Sequence, residues 1–269
     1  MCSHFDHRRT GLAGVPAEGA SRSAGGTALV TGASRGLGAA MARRLAADGW
    51  SVAVNYRSAA EDALTVVRDI RAGGGTAEAF RADVTDEESV ADLIEQVTAS
   101  LGPVGVLVLN ATGPQPSVAV EDLTWEAHLD QLRFFVKSPT LLLRAALPGM
   151  KTLGGGRVIQ IGSDAFHRAL PGMSAYVAAK GAQLGLTRSW ARELGPHNIT
   201  VNLVAPGWVP VERHASATQE ELRAYASEVP LRRTGTPAEV AATVSFLASD
   251  AAGFITGECL SINGGHTMG

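Results

Sequence analysis

Ser163, Tyr176 and Lys180 are the side chains whose types and spacing suit chemistry. Tyr176 and Lys180 stand four apart in Tyr-Val-Ala-Ala-Lys, so on a helix they project from one face and their heads share a site. A free phenol, with a pKa of about 10, is a weak acid–base group at neutral pH. A close ammonium favours the phenolate and lowers that value. Ser163 closes an apolar run thirteen residues before Tyr176, where its hydroxyl can hold the same oxygen that the phenol protonates. Such a trio suits hydride transfer to or from a carbonyl or alcohol carbon, with Tyr176 handling the proton on oxygen. Alone, a Tyr and a Lys at this spacing are equally an ordinary helix face. The chemical reading therefore needs a cofactor site.

That site is expected at Gly32-Ala33-Ser34-Arg35-Gly36-Leu37-Gly38, between an apolar run and an Ala-rich helical pattern. Glycines let the backbone approach a pyrophosphate, and a helix start offers unpaired N–H groups and the positive end of its dipole. The spacing is G-x-x-x-G-x-G rather than G-x-G-x-x-G, so the strand-to-helix context carries the reading. A carboxylate ending the second strand would favour the ribose hydroxyl of NAD. Here the chain reads Asn55-Tyr56-Arg57-Ser58. Arg35 and Arg57 can instead grip a 2′-phosphate, which favours NADP(H) over NAD(H); two solvated arginines are the plain alternative. Asp83, followed by Val84, can accept from an adenine amino group or cap a helix beginning near Thr85. In Asn110-Ala111-Thr112-Gly113, the Asn can pin neighbouring strands and the Gly lets a ring pack closely.

The elements that must position these groups follow from apolar patterning. Strands are expected at 28–31, 51–55, 77–81, 104–110, 157–162, 199–204 and 259–262, each almost wholly apolar as in a sheet buried on both faces. Helical patterns lie between them at 37–48, 61–72, 87–101, 174–194 and 237–249. The alternation implies an α/β fold: one Rossmann-type, doubly wound parallel sheet with helices on both faces. Residues 26–269 form one domain behind an N-terminal extension, 1–25, rich in Gly, Ser and Ala. Residues 121–150 read as two helical pieces that Pro139 starts, kinks or interrupts. Residues 206–230 read as a loop with a short helix, a place for a substrate lid.

Twenty-three basic against twenty-six acidic residues leave no basic stripe for nucleic acid. Cys2 and Cys259 make neither a disulfide framework nor a zinc pattern, and no metal site is expected. No apolar run is long enough for a membrane span, and the first residues lack a secretory signal, so the cytoplasm is expected; a basic transit leader is the alternative. His128, His167, His197, His214 and His266 have no metal-ligand spacing, although His167 is near enough to Ser163 to touch substrate. Trp208 and Met173 suit either pocket lining or local packing.

Together these motifs resemble the short-chain dehydrogenase/reductase family, especially its bacterial ketoacyl-reductase branch. The resemblance runs from about Gly26 to Gly265 through TGASRGLG at 31–38, Asp83-Val84, NATG at 110–113, Ser163, YVAAK at 176–180, NLVAPG at 202–207 and the closing TGECLSINGG. It implies a seven-stranded sheet and a homotetramer, with a homodimer the lesser alternative. It also implies that Lys180 contacts the nicotinamide ribose and that Pro206 and Gly207 flank the nicotinamide. The expected cofactor contacts are then Gly32, Ser34, Arg35, Gly36, Leu37, Gly38, Tyr56, Arg57, Ser58, Asp83, Val84, Asn110, Ala111, Gly113, Ile161, Tyr176, Lys180, Pro206, Gly207 and Val209.

Three positions depart from the family pattern. Ala111 stands where a second Asn is frequent, and Val211 where a cofactor-binding Thr is common. A relay Asn is usual on the helix before Ser163; counting back from Leu147-Pro148 puts Phe135 there, and counting forward from Trp125 puts Leu132. His128 and Gln131 are the nearest polar replacements. The expected activity is NADP(H)-dependent interconversion of a small-molecule ketone and a secondary alcohol. The alternatives are a cofactor-binding relative with little catalysis, and a reductase of a C=N or quinone substrate. Substrate determinants are expected in 114–120, 166–173 and 208–225.

Overall fold

Each apolar run forms a strand, and most strands lead into a helix. The computed structural model describes residues 26–268, so the expected extension 1–25 lies outside the described residues. The chain runs β1 (Thr27–Val30), α1 (Gly36–Ala47), β2 (Ser51–Tyr56), α2 (Ala60–Ala72), β3 (Ala77–Arg81), α3 (Glu87–Leu101) and β4 (Val104–Leu109). It continues through α4 (Trp125–Leu132), α5 (Ser138–Thr152), β5 (Gly156–Ile161), α6 (Ala165–Arg168), α7 (Ser174–Leu194), β6 (Ile199–Pro206), α8 (Gln219–Glu228), α9 (Pro237–Ala248) and β7 (Cys259–Ile262). The strands form one seven-stranded sheet in the order β3-β2-β1-β4-β5-β6-β7, and every pairing is parallel.

Burial explains the patterning. Every residue of β1, β5 and β6 is buried, as a sheet covered on both faces requires. Met41 and Leu45 of α1, Val66 and Ile70 of α2, and Val240, Val244 and Leu247 of α9 cover one face. Leu93 and Val97 of α3, Leu142 and Met150 of α5, and Leu194 of α7 cover the other. Each such side chain contributes about 1.5–3 kcal/mol through burial. Among the described residues, no helix is long and apolar enough to cross a membrane.

The sheet grows outward in both directions from the β1–β4 pair. Loops leaving those two strands part towards opposite faces and open a crevice at the carboxyl ends. Asn110 holds its floor. Its Nδ2 donates to the carbonyls of Thr31 (2.9 Å) and Gly32 (3.2 Å), while its backbone N–H reaches Thr31 Oγ1 at 2.9 Å. The strand-pinning role read for this Asn is the one it plays.

Residues 121–150 contain the two expected helical pieces and a feature that was not anticipated. Thr124 caps α4, its Oγ1 accepting from Ala127 N at 3.2 Å. Between α4 and α5, Arg133–Lys137 form one π turn, in which the Ser138 N–H reaches back to the Arg133 carbonyl. Pro139 sits in the first turn of α5. It has no N–H to continue the tighter ladder, which accounts for the widening before it. Helical backbone runs on through Leu132, Lys137 and Ser138, so of the three roles considered Pro139 interrupts the regular ladder.

Candidate active site

The site lies along the carboxyl ends of β1, β4, β5 and β6. At β1, helix α1 begins without a side-chain cap, because Arg35 at its N-cap is extended and contributes none. The first N–H groups are thus left for an anion. Gly36 has φ +58°, the left-handed region, and a Cβ on Gly38 would come within 2.7 Å of Asn110 Nδ2. Loop, helix start and Asn110 therefore pack without room for a side chain. Asn55, a residue the sequence reading passed over, ties this loop to the sheet edge. Its Oδ1 accepts from Gly32 N at 3.2 Å, and its Nδ2 donates to Phe80 O (3.4 Å) and Ala82 O (3.3 Å). Ser34 and Leu37 are half-buried and Arg35 is exposed; Val211 and Glu212 rest over Gly36.

At the end of β2, Tyr56 packs partly against the core, while Arg57 and Ser58 are exposed. Arg57 lies 3.8 Å from the Asp83 carboxylate. Asp83 Oδ1 accepts from Thr85 N at 2.9 Å and from Thr85 Oγ1 at 2.7 Å. Burial opposes the Asp83 charge, but the Thr85 hydrogen bonds and the charges of Arg57 and Lys137 outweigh it and hold the carboxyl below its usual pKa. The capping role considered for Asp83 is corrected. Helix α3 is capped by Asp86, whose Oδ1 accepts from Ser89 N at 2.8 Å, and Asp83 turns the chain ahead of it. Val84 is buried beneath them.

The three chemical side chains come together just beyond β5. Ser163 Oγ accepts from Ala165 N at 3.1 Å, and its hydroxyl stands near enough to that of Tyr176 to act on it. Burial pushes the Tyr176 pKa up. The Ser163 hydroxyl and the charge of Arg213 pull it down, and Asp164 adds to the rise. Lys180 follows one turn later, its Nζ donating to Ile161 O at 2.8 Å and Gln183 Oε1 at 2.9 Å. The same nitrogen lies 3.7 Å from the centre of the Phe135 ring and 5.6 Å from that of Tyr176. Burial, with Arg213, drives the Lys180 pKa well below its usual value.

Phe135, not Leu132, occupies the position beside Lys180 that the sequence count left between two residues. It is 2% exposed and meets the Tyr176 ring edge to face at 5.5 Å, whereas Leu132 packs at the margin of that cluster. Gln131 donates to Pro114 O at 2.9 Å and, with Tyr176, lines a cavity of about 10 Å³, room for one water. His128 packs on Trp125, with ring centres 5.9 Å apart.

The remaining expected contacts fall around the same crevice. Ala111 N donates to Thr31 Oγ1 at 3.0 Å. Gly113 does admit a ring, and the ring is the chain's own Phe134. Ile161 offers its carbonyl to Lys180. Pro206 ends β6 and accepts from Asp164 N at 3.0 Å, and Gly207 N donates to Ile262 O at 3.0 Å. Val209 is buried with the core. The Trp208 ring packs edge to face on Tyr225 at 5.4 Å, and the Trp208 backbone N–H donates to the Tyr225 hydroxyl at 2.8 Å. Arg213, Asp164 and Gln183 were missed from sequence. Only Gln183 left a signal there, three residues past Lys180 on the same helix. Among the described residues, no group of His, Cys, Asp and Glu is placed to hold a metal ion.

Comparison with known proteins points the same way. The family described as Enoyl-(Acyl carrier protein) reductase matches residues 32–267. A 3-oxoacyl-(acyl-carrier-protein) reductase of Staphylococcus aureus is 38% identical over 244 residues, 90% of this chain and 98% of that protein. The crystal structure of a dehydrogenase/reductase from Sinorhizobium meliloti 1021 superposes with a TM-score of 0.84 at 38% identity, over 91% of this chain and 96% of that one. A blue fluorescent protein from a metagenomic library, solved in complex with NADPH, gives 0.84 at 36% identity over 91% and 99%.

A side chain at Gly38 must force the glycine loop away from Asn110. Gly38→Ala is expected to lower the thermal midpoint by about 5 °C and to abolish dinucleotide binding in calorimetry. Unchanged unfolding and binding would contradict this packing.

Proposed function

The chain belongs to the short-chain dehydrogenase/reductase family, and on that premise we propose that it is an NADPH-dependent ketoreductase, interconverting a ketone and a secondary alcohol. The observation that carries the reading is the Ser163 hydroxyl brought beside the buried Tyr176 phenol at the crevice, with Lys180 one helical turn on. Two neighbouring hydroxyls can both turn to one substrate oxygen. That arrangement suits a carbonyl, whose oxygen must receive a proton as its carbon receives hydride. 3-Oxoacyl thioesters head the substrate classes to try, because they are what the Staphylococcus relative is named for.

The residues present fit a dinucleotide phosphate. The uncapped start of α1 and the glycine loop before it suit the pyrophosphate, with Val211 and Glu212 having to move off Gly36 to admit it. No carboxylate follows β2 to repel a 2′-phosphate; Arg57 stands there, with Arg35 in the glycine loop. Bound NADPH supplies hydride from its nicotinamide to the carbonyl carbon.

The chain's own residues do the rest. Ser163 orients the substrate oxygen and Tyr176 releases its proton to it. Lys180 stabilises the phenolate that remains. Burial raises the Tyr176 pKa, so the phenol holds its proton at neutral pH, as a reductase acid must. Cytoplasmic location and a homotetramer belong to the same reading; Trp125 on α4 and Phe246 on α9 are exposed apolar groups that suit contact between copies. A second reading, a cofactor-binding relative with little catalysis, draws on the apolar Phe135 beside Lys180. It is distinguished by NADPH binding without turnover of any ketone.

Tyr176→Phe is expected to lower kcat for ketone reduction by about 10³-fold while NADPH binding in calorimetry persists; an unchanged rate would overturn the assignment. Reduction by the native enzyme is expected to hold steady while Tyr176 is protonated and to fall as pH rises through its raised pKa, with alcohol oxidation showing the reverse trend. Replacing both Arg35 and Arg57 by Ala is expected to weaken NADPH binding about 100-fold and to leave NADH binding within a factor of about three. Equal losses for both cofactors would rule out a 2′-phosphate clamp.

A further inference from the structure

Lys180 has no acidic partner. Its side chain is sealed from water, and no carboxylate lies within ion-pair distance of Nζ among the described residues. An isolated ammonium in such a place is costly. Around Nζ stand three electron-rich groups instead: the Ile161 carbonyl at 2.8 Å, Gln183 Oε1 at 2.9 Å and the face of Phe135, centred 3.7 Å away. An ammonium has three N–H donors and no acceptor, so three such partners match it. A neutral amine would have to turn its lone pair against one of them.

Each partner is itself fixed. Gln183 Nε2 donates to Gln160 Oε1 at 3.4 Å, and Gln160 Nε2 donates to Thr187 Oγ1 at 2.9 Å and to the Gln183 carbonyl at 3.3 Å. Gln160, Gln183 and Thr187 are all buried, so this network decides which end of the Gln183 amide meets Lys180; the flipped amide would set N–H against N–H. Phe135 projects from the π turn and is held by the edge of Tyr176. Its ring face binds a desolvated cation more strongly than it would in water.

We propose that Phe135 and Gln183 are positioning residues that keep the Lys180 ammonium protonated in dry surroundings and, through it, set the acidity of Tyr176. This rests on the reading of Tyr176 as the proton donor and names what tunes it. Two other charged groups face the pair and bear on its titration. Arg213, from the loop after β6, opposes the ammonium and favours the phenolate, and Asp164, just past β5, opposes the phenolate. With Phe135 removed, Lys180 gives up its proton more readily, the phenolate loses its neighbour, and the Tyr176 pKa rises.

The test reads the phenol directly, without substrate. Tyr56, Tyr176 and Tyr225 are the three tyrosines of the chain, so ultraviolet difference titration of the full-length protein, less that of Tyr176→Phe, isolates Tyr176. Phe135→Leu keeps the apolar bulk and removes the ring face. It is expected to move the Tyr176 titration up by about one pH unit. The high-pH limb of ketone reduction should move by the same amount. Phe135→Tyr, which restores a ring face, should return both to within a few tenths of a unit. A folded Phe135→Leu protein whose Tyr176 titrates as in the native chain, or lower, would overturn the proposal. Should Phe135→Leu fail to fold, Gln183→Leu carries the same expectation and the same refutation. A shift in the titration of a protein that reduces no ketone would leave this coupling standing and end the ketoreductase reading instead.

Discussion

Burying a lysine amine beside a buried phenol is the constraint on which this site turns. Water would stabilise both charged forms, and here it is excluded from both, so each must find its partners in the protein. Lys180 finds them in a strand carbonyl, an amide on its own helix and an aromatic face, while Tyr176 stands beside Ser163 and packs on Phe135. Those partners come from β5, from α7 and from the π turn before α5, so the arrangement exists only once the sheet has brought these elements together. A glutamine network behind Lys180 leaves little freedom to rearrange, because each member is buried and hydrogen-bonded.

The same sheet explains why a phosphate-binding turn and a proton donor distant in sequence share one crevice. Parallel strands end on a common edge, and the two directions of winding part at β1 and β4. Asn110 spans that parting, and Asn55 braces the loop from the other side. The two asparagines fix the backbone of that loop, where Gly36 takes a left-handed conformation open to glycine without strain.

Much of this could be read from the chain because the responsible signals are local. Strands buried on both faces are apolar almost throughout, so the inner strands β1, β4, β5 and β6 stood out, while the edge strands β3 and β7 carry polar residues; α3 and α7 fell at the bounds their patterns suggested. Tyr176 and Lys180 share a helix face by spacing alone. The unread parts depend on contacts that spacing does not encode. Asp83 was read as a possible cap, but it turns the chain with Thr85, and the cap is Asp86, which the sequence reading did not name. The two counts to the residue beside Lys180 disagreed, since a π turn between two helices leaves no mark in apolar periodicity. Gly113 was read as a cofactor contact that lets a ring pack closely, and folding puts the chain's own Phe134 against it. Arg213 acts on Tyr176 from a loop whose sequence gives no hint of its reach.

The central claim is that Tyr176 and Ser163 hold a carbonyl oxygen while its carbon accepts hydride. The most direct measurement is mass spectrometry of the alcohol formed from a 3-oxoacyl thioester with NADPH deuterated at the transferable nicotinamide position. One deuterium at the carbinol carbon, and none on any other carbon, is the expected result. An alcohol without label, or a saturated product formed across a carbon–carbon double bond with the ketone left intact, would contradict it.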